Sequence, residues 1–356
     1  VALKDMFGRA KSSIGLDVGS SAVKAVEVTS SRSSRQVTWV GSEPVPPDAI
    51  VDGAILDGAS VADAISRLFE AGRVKTKDVI ASLSGSAVIV KKITLPLMTD
   101  SELGESIHWE AEQYIPFDIQ DVTLDYQVVE GDSEGAARGT MDVLLVAAKK
   151  EKIADYSGVI AQAGRNPVVV DVDAFALQNA YEVNYGIEPG LVVVLMNAGA
   201  SAINVNILNG EQSVFTRDIS IGGNDYTEAL QKELSLPFEN ADMLKRGVPI
   251  EGLTFDEAIP ALAAVTDNVM LEVQKTFDFF KATAASDRID QIVLSGGTAQ
   301  IDGLADTMAD RFGTQVEMFD PFRQLQLDNK KTGDVADLAS TAAVAVGLAL
   351  RQAGDR

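Results

Sequence analysis

Two stretches of this chain read as one pattern used twice. Ile14-Gly-Leu-Asp17-Val-Gly19-Ser20-Ser21-Ala-Val-Lys24-Ala-Val-Glu-Val28 spells strand, tight turn, strand, with Gly19 and the serines in the turn and β-branched residues on both sides. Leu191-Val-Val-Val-Leu-Met-Asn197-Ala-Gly199-Ala200-Ser201-Ala-Ile-Asn204-Val-Asn-Ile-Leu208 spells it again. At a shift of 180 residues, Asn197 falls on Asp17, Gly199 on Gly19, Ser201 on Ser21 and Asn204 on Lys24. Any two glycine-turn hairpins share some of this. The matching order of the elements after them argues for two copies of one domain: each hairpin leads into a further strand (Gln36–Val45; Gln212–Ile219) and then into helical sequence.

Length agrees, since 356 residues at roughly 150 per domain suggest about two domains. With 46% hydrophobic and 23% charged residues the chain can build sizeable cores, which excludes global disorder. A net charge of −22 argues against wide contact with nucleic acid, which needs a basic surface, and against docking on anionic lipid by charge alone. The acidic surface reads most simply as a solvated face. There is no cysteine and one histidine, His108, so disulfides, thiolate nucleophiles, iron–sulfur clusters and multi-histidine zinc sites are excluded. His108 is read as a core or rim residue. A reducing cytoplasm fits. The densest apolar run, Ala342 to Leu350, is about half of the ~18–20 residues that span a bilayer. The first residues, from Val1, lack the apolar core of a signal peptide.

The remaining pattern is mixed α/β. Ser60–Ala71 has helical spacing, with Val61, Ile65, Leu68 and Phe69 on one face. Val79–Ser84 and Ala87–Leu95 read as strands, and Thr99-Asp-Ser-Glu102 as a capping box opening a helix to about Tyr114, stopped by Pro116. Val122–Glu130 and Met141–Ala148 are predicted strands split by a polar loop at 131–139. A helix is predicted over Glu151–Ala163 with Gly164 at its C′ position, then a buried strand Asn166–Asp173 and a helix Ala174–Tyr185. Leu262, Val265, Val269, Val273, Phe277 and Phe280 stripe one long helix. Gln291–Leu294 is a predicted strand entering Ser295-Gly296-Gly297-Thr298. The tail, Leu338–Gln352, reads as one buried helix of small residues in which Gly347 allows close backbone approach.

A Gly-Ser hairpin turn offers backbone N–H groups to an anion at close range. Asp17, at the strand end, suits Mg²⁺ held through water beside a polyphosphate. Lys24 lies next to the turn, within reach of phosphates. The alternative is that Asp17 caps a turn and Lys24 is a surface residue. Gly296 and Gly297 would let backbone pass a flat base or ribose, or they make a simple strand-to-helix turn. Asp171 and Asp173, ending a buried strand, either face a cleft or cap the next helix. Neither a Walker A loop nor a GxGxxG turn is present, which argues against P-loop and Rossmann chemistry.

In combination and in this order, the two hairpins, Ser295-Gly-Gly-Thr298 and the small-residue tail resemble the actin/Hsp70/sugar-kinase superfamily: phosphate loop 1, phosphate loop 2, the adenosine motif and the second connecting helix. Within it, the chain resembles the type IV pilus assembly PilM family, relatives of the cell-division protein FtsA. The resemblance runs from about Met6, through Phe7-Gly-Arg-Ala-Lys-Ser-Ser-Ile-Gly-Leu-Asp17, Glu112-Gln-Tyr-Ile-Pro-Phe117 and Arg217-Asp-Ile-Ser-Ile-Gly-Gly223.

The resemblance implies an α/β chain with a duplicated RNase H-like, actin/Hsp70-type two-domain fold and an FtsA-like 1C insertion. Subdomain 1A would cover 10–85 and 165–188, 1C 86–164, 2A 189–225 and 291–335, and 2B 226–290, with a C-terminal helix over 336–356 returning to 1A. It implies ATP and Mg²⁺ as cofactors. Asp17, Gly19, Ser20, Ser21 and Lys24 would form one side of the site; Asn197, Gly199, Ala200 and Ser201 the other. Gly296, Gly297 and Thr298 would lie at the adenosine. Asp242 and Lys245, in Ala241-Asp-Met-Leu-Lys-Arg246, match the family's Ala-Glu-x-x-Lys helix, whose acid holds ribose and whose lysine lies along adenine. Asp17, Asn197 and Asp173 would be nearest the chemistry, with Asp173 or nearby Asn179 facing the catalytic water. The superfamily carries Asp where this chain has Asn197. An amide cannot act as a base, so ATP is expected to bind and to turn over slowly at most.

The function implied is an ATP-binding cytoplasmic scaffold at the inner face of the cytoplasmic membrane, within the type IV pilus assembly platform. It would meet the membrane only through partners. The partner implied is the N-terminal cytoplasmic segment of PilN, in a groove between 1A and 1C, with other pilus assembly proteins beyond it. An FtsA-like filament-forming ATPase is the alternative, followed by a small-molecule kinase using Asp171 or Asp173 as base. An Hsp70-type chaperone is least favoured, because no peptide-binding domain follows the tail helix.

Overall fold

The computed structural model describes residues 11–31, 34–129, 139–283, 288–328, 332 and 335–351. All of the expected 131–139 loop but Gly139, the stretch from Met6 to Ala10 and Gln352 lie outside the described residues. In the first half the elements are β1 (Lys11–Val18), β2 (Ala22–Ser30), β3 (Arg35–Pro44), β4 (Ile50–Val51), β5 (Ala54–Ile55), α1 (Gly58–Ala71), β6 (Asp78–Leu83), β7 (Val88–Pro96), α2 (Asp100–Glu112), β8 (Val122–Val128), β9 (Thr140–Lys149), α3 (Lys150–Gln162), β10 (Asn166–Val172) and α4 (Asp173–Tyr185). The second half has β11 (Val192–Ala198), β12 (Ile203–Asn209), β13 (Gln212–Ile219), α5 (Gly223–Leu234), α6 (Phe238–Lys245), α7 (Phe255–Thr283), β14 (Gln291–Ser295), α8 (Leu304–Phe312), β15 (Gln315–Met318), β16 (Gln326–Leu327), α9 (Ala336–Ala339) and α10 (Ala343–Leu350).

The two large sheets share one plan. The first runs β10-β6-β1-β2-β3-β16 and the second β15-β14-β11-β12-β13. In each, the hairpin and its third strand are antiparallel, and the two strands on the other side of the leading strand are parallel to it. The duplicated pattern is therefore a duplicated fold, with Asp17 opposite Lys24 in one copy and Asn197 opposite Asn204 in the other.

The continuous apolar run of β11 reflects burial on both faces. Val192, Val194, Met196 and Ala198 enter the core of the second half, with α5, α6 and the stripe of α7. Val193 and Leu195 face the other way, into a core shared with Val26, Val28 and Val37 of the first sheet. Leu177, Ala180 and Tyr181 of α4 and Ala343, Ala345, Val346 and Ala349 of α10 fill that shared core, so two helices join the sheets. The third sheet, β7-β9-β8, packs with α2 around its own cluster of Leu95, Leu103, Ile107 and Leu145. By contrast, α3 buries Tyr156, Val159 and Ile160 against Val61, Ile65 and Phe69 in the first core.

Local signals decide the element ends. Thr99 and Glu102 form a reciprocal capping box at the start of α2. Gly164 takes a left-handed backbone after α3. His108 is exposed on α2. The tail is not one helix: α9 and α10 are separated at 340–342. Ser340 is drawn onto the turn after β14, where its carbonyl accepts the Gly296 N–H at 2.7 Å and its hydroxyl accepts from Gln300 at 2.5 Å. Beyond the break, α10 lies on bare backbone. A Cβ on Gly347 would stand 1.7 Å from the Ala176 carbonyl oxygen, and one on Gly15 2.0 Å from that of Ala345.

Candidate functional site

The two hairpin turns face each other. In the first, the Gly19 N–H closes the turn on the Ala22 carbonyl at 3.2 Å, and Lys24 Nζ meets Asp17 Oδ2 at 2.8 Å. In the second, the Gly199 N–H closes on the Ala202 carbonyl at 2.9 Å, and Asn197 Nδ2 donates to Asn204 Oδ1 at 3.3 Å. The Ser201 hydroxyl donates to the Ser20 hydroxyl at 2.6 Å, joining the turns. Ser21, in contrast, is exposed.

The second turn rests on glycine backbone. The Gly223 N–H donates to the Gly199 carbonyl at 3.0 Å and the Asn224 N–H to that of Ala200 at 2.8 Å. The Thr298 hydroxyl also donates to the Gly199 carbonyl, at 2.6 Å, so it clamps the turn. Gly296 is buried with φ +95°, and a Cβ there would lie 2.1 Å from the Ala198 carbonyl oxygen, whereas Gly297 makes no such close approach. Lys245 Nζ, on α6, donates to the Gly223 carbonyl at 3.1 Å and to Thr227 at 2.8 Å, and pairs with Asp242 at 2.7 Å. A Cβ on Gly223 would lie within 3.7 Å of Thr298 Oγ1, Lys245 Nζ and Ala200 Cα, so three separate stretches converge there. Burial works against the charge of Asp242, but Lys245 and Arg246 outweigh it and hold the carboxyl below its usual range.

Two further carboxylates, Asp17 and Asp218, act on Asp173 beside the turns. Burial first, then the charge of Asp17, push the Asp173 carboxyl up to about 6, against hydrogen bonds from Ser82 and Ser84 and with a further push from Asp218. The Ser82 hydroxyl donates to Asp173 at 2.5 Å. Asp173 opens α4 without capping it, since the N-cap is Val172. Asp171 neither caps nor faces the cleft: it is buried and pairs with Arg351 at 3.1 Å. Asn179 Nδ2 is buried without a hydrogen-bond partner. Among the described residues no three acidic or histidine side chains are spaced to hold a metal directly.

Residues 15–353 match the family described as type IV pilus assembly protein PilM. Similar solved structures include a PilM-PilN type IV pilus biogenesis complex, 30% identical with a TM-score of 0.84, covering 95% of this chain and 98% of that one. The chain belongs to the type IV pilus assembly protein PilM family. The ethanolamine utilization protein EutJ from Carboxydothermus hydrogenoformans is 12% identical at a TM-score of 0.54, covering 96% of this chain and 89% of that one. MreB5 of Spiroplasma citri bound to ADP is 13% identical at 0.52, covering 95% and 94%. These two likenesses show the fold alone, and it is the actin-like one that the duplicated sheets display.

Within this PilM-family cleft the sequence pattern did not single out Asn204, Asp218, Ser82, Gly85 or the Gly222-Gly223 pair as site residues. The repeat holds no signal for Asp218, which falls on Thr38 at the 180-residue shift; only the strand register places it. The row Asp17, Lys24, Ser42 across three strands of one sheet has its counterpart in Asn197, Asn204, Asp218 across three strands of the other.

Proposed function

We propose that the cleft binds ATP with Mg²⁺, and that the protein is the nucleotide-dependent scaffold that holds PilN in the type IV pilus assembly platform. The observation carrying this is the meeting of the two hairpin turns, one from each copy of the fold, at the Ser20–Ser201 contact. The donor set fits a polyphosphate: turn N–H groups, three serine hydroxyls and Lys24, around a Gly19 whose absent Cβ would stand 3.3 Å from Lys24 Nζ. Asp17 would hold Mg²⁺ through water, and Asp242, Lys245, Gly296 and Gly297 would receive ribose and base. Mg²⁺ supplies the positive charge that offsets the phosphates beside these carboxylates.

Asn197 accepts and donates hydrogen bonds but takes no proton, so this chain binds and positions far better than it hydrolyses. General-base help is worth about 10²–10⁴-fold in rate. We assign 1A, 1C, 2A and 2B as expected from the sequence, except that α3, by its packing, goes with the first core. The N-terminal segment of PilN would lie between 1A and 1C on the cytoplasmic side of the membrane. No helix among the described residues is long and apolar enough to cross a membrane, in keeping with recruitment through a partner.

Titration calorimetry of the purified chain tests the reading. Mg²⁺–ATP is expected to bind saturably, with binding lost in Lys24→Ala, and to change the affinity for a PilN N-terminal peptide. Absence of ATP binding, or equal peptide affinity with and without ATP, would overturn it. Rapid ATP turnover abolished by replacing Asn197 would overturn the claim of slow hydrolysis.

A further inference from the structure

A chain of hydrogen bonds crosses the cleft beside the hairpin turns. Asn197 Nδ2 donates to Asn204 Oδ1 at 3.3 Å, Asn204 Nδ2 donates to Asp218 Oδ1 at 2.7 Å, and Asp218 Oδ2 accepts the Gly85 N–H at 2.6 Å. Asn197, Asn204 and Asp218 stand side by side on β11, β12 and β13. Gly85 belongs to the opposite half, in the turn from β6 to β7, with φ +83°.

Chemistry fixes the direction of this chain. An ionised carboxylate only accepts, so Asn204 must turn its NH₂ to Asp218 and its carbonyl to Asn197. Asn197 must then give its NH₂ to Asn204. Its Oδ1 is left without a donor among the described residues. The orientation of Asn197 is thus set two residues away, by the charge on Asp218. A carboxylate at 197 would face the Asn204 carbonyl and would add a negative charge to a cleft that already holds Asp17 and Asp173.

We propose that Asp218 is a positioning residue. Through Asn204 it presents the Asn197 carbonyl as an acceptor for a Mg²⁺-bound water, and through its second oxygen it locks that arrangement to Gly85 across the cleft. The proposal rests on the reading of the cleft as an Mg²⁺–ATP site. It assigns Asn197 a retained function, holding water without taking its proton. It also links the second hairpin to the turn that leads into the β7-β9-β8 sheet.

The test uses the full chain with Asn204→Ala, Asp218→Ala, Asp218→Asn and the double alanine variant. ATP affinity is measured in Mg²⁺ and in EDTA, and exchange of the Gly85 amide is measured without nucleotide. Each alanine variant is expected to weaken Mg²⁺–ATP about tenfold, the worth of one hydrogen bond, with little change in EDTA. The double variant should be no worse than either single one. Gly85 exchange should rise in Asp218→Ala, which removes the acceptor, and stay low in Asn204→Ala, which keeps it. Asp218→Asn can accept the Gly85 N–H through its carbonyl and give its NH₂ to Asn204, which reverses the relay and turns the Asn197 NH₂ outward, so it should keep the Gly85 protection and lose the Mg²⁺ response. Equal losses with and without Mg²⁺, additive single effects, or unchanged Gly85 exchange in Asp218→Ala would each overturn the proposal. If the wild-type chain binds no Mg²⁺–ATP, the water-holding role falls with the functional reading, and Gly85 exchange alone decides the cross-cleft lock.

Discussion

Asp173 sits among the least compatible neighbours in the molecule. Partial burial and the charges of Asp17 and Asp218 push its carboxyl up to about 6, against about 3.9 for an exposed Asp. The folded state therefore keeps a proton that the unfolded chain has lost between about pH 4 and 6. Stability falls as pH rises through that window, and the penalty is complete above it. Asp173→Asn keeps the acceptor for Ser82 and removes the charge. It is expected to raise the urea midpoint at pH 7.5 by an amount worth about 1–3 kcal/mol, with little change at pH 4. An equal shift at both pH values would show that burial of charge is not the cause. Asn197→Asp should do the reverse. Asn204 can turn its NH₂ to the new carboxylate only by releasing Asp218, so a loss of about 1–3 kcal/mol is expected in a thermal melt at neutral pH. An unchanged melt would refute this.

The tail shows how contacts override a helical pattern. Residues 338–350 are apolar and small enough for one helix, yet Ser340 hydrogen-bonds outward to Gly296 and Gln300 and the helix restarts at Ala343. The restarted α10 works by closeness. In an exposed helix Gly→Ala gains about 1 kcal/mol. At Gly347 a Cβ would stand 1.7 Å from a carbonyl oxygen of α4, so the sign inverts. Gly347→Ala is expected to destabilise by about 3 kcal/mol or more in urea unfolding, since overpacking against backbone finds no rotamer to relieve it. A neutral or stabilising result would mean that α10 can lift off α4 freely.

Across the molecule, the two sheets are joined by contacts of different kinds. On one side α4 and α10 make a continuous apolar core between them. On the other, Ser20–Ser201 and Gly85–Asp218 close the cleft through single hydrogen bonds, each worth only about 1 kcal/mol. The molecule should therefore open on the hydrogen-bonded side and hinge on the apolar one. The chain has no cysteine, which makes a direct test clean. Ser20→Cys with Ser201→Cys places two thiols where the hydroxyls lie 2.6 Å apart, close enough for a disulfide. Oxidation is expected to lock the cleft and weaken ATP binding about tenfold or more, reversibly on reduction. Full ATP binding by the oxidised protein would show that nucleotide enters without opening.

What the sequence determined by itself was local or repeated. Alternating and continuous apolar runs specified the strands, Thr99 and Glu102 fixed the start of α2, and the 180-residue offset revealed two like halves because equal sequence patterns bury equal faces. The turns carrying Gly19 and Gly199 were legible because glycine leaves room for the carbonyl each turn closes on, which a Cβ would approach to 3.0 Å at Gly19 and 3.1 Å at Gly199. The break at Ser340, the pairing of Asp171 with Arg351, the packing of α3 on the first core and the relay from Asn197 to Gly85 were decided only by tertiary structure. Each depends on a hydrogen bond, ion pair or apolar contact between segments far apart in the chain. Periodicity does not encode such contacts, because it records which face of an element is buried and not what lies against it.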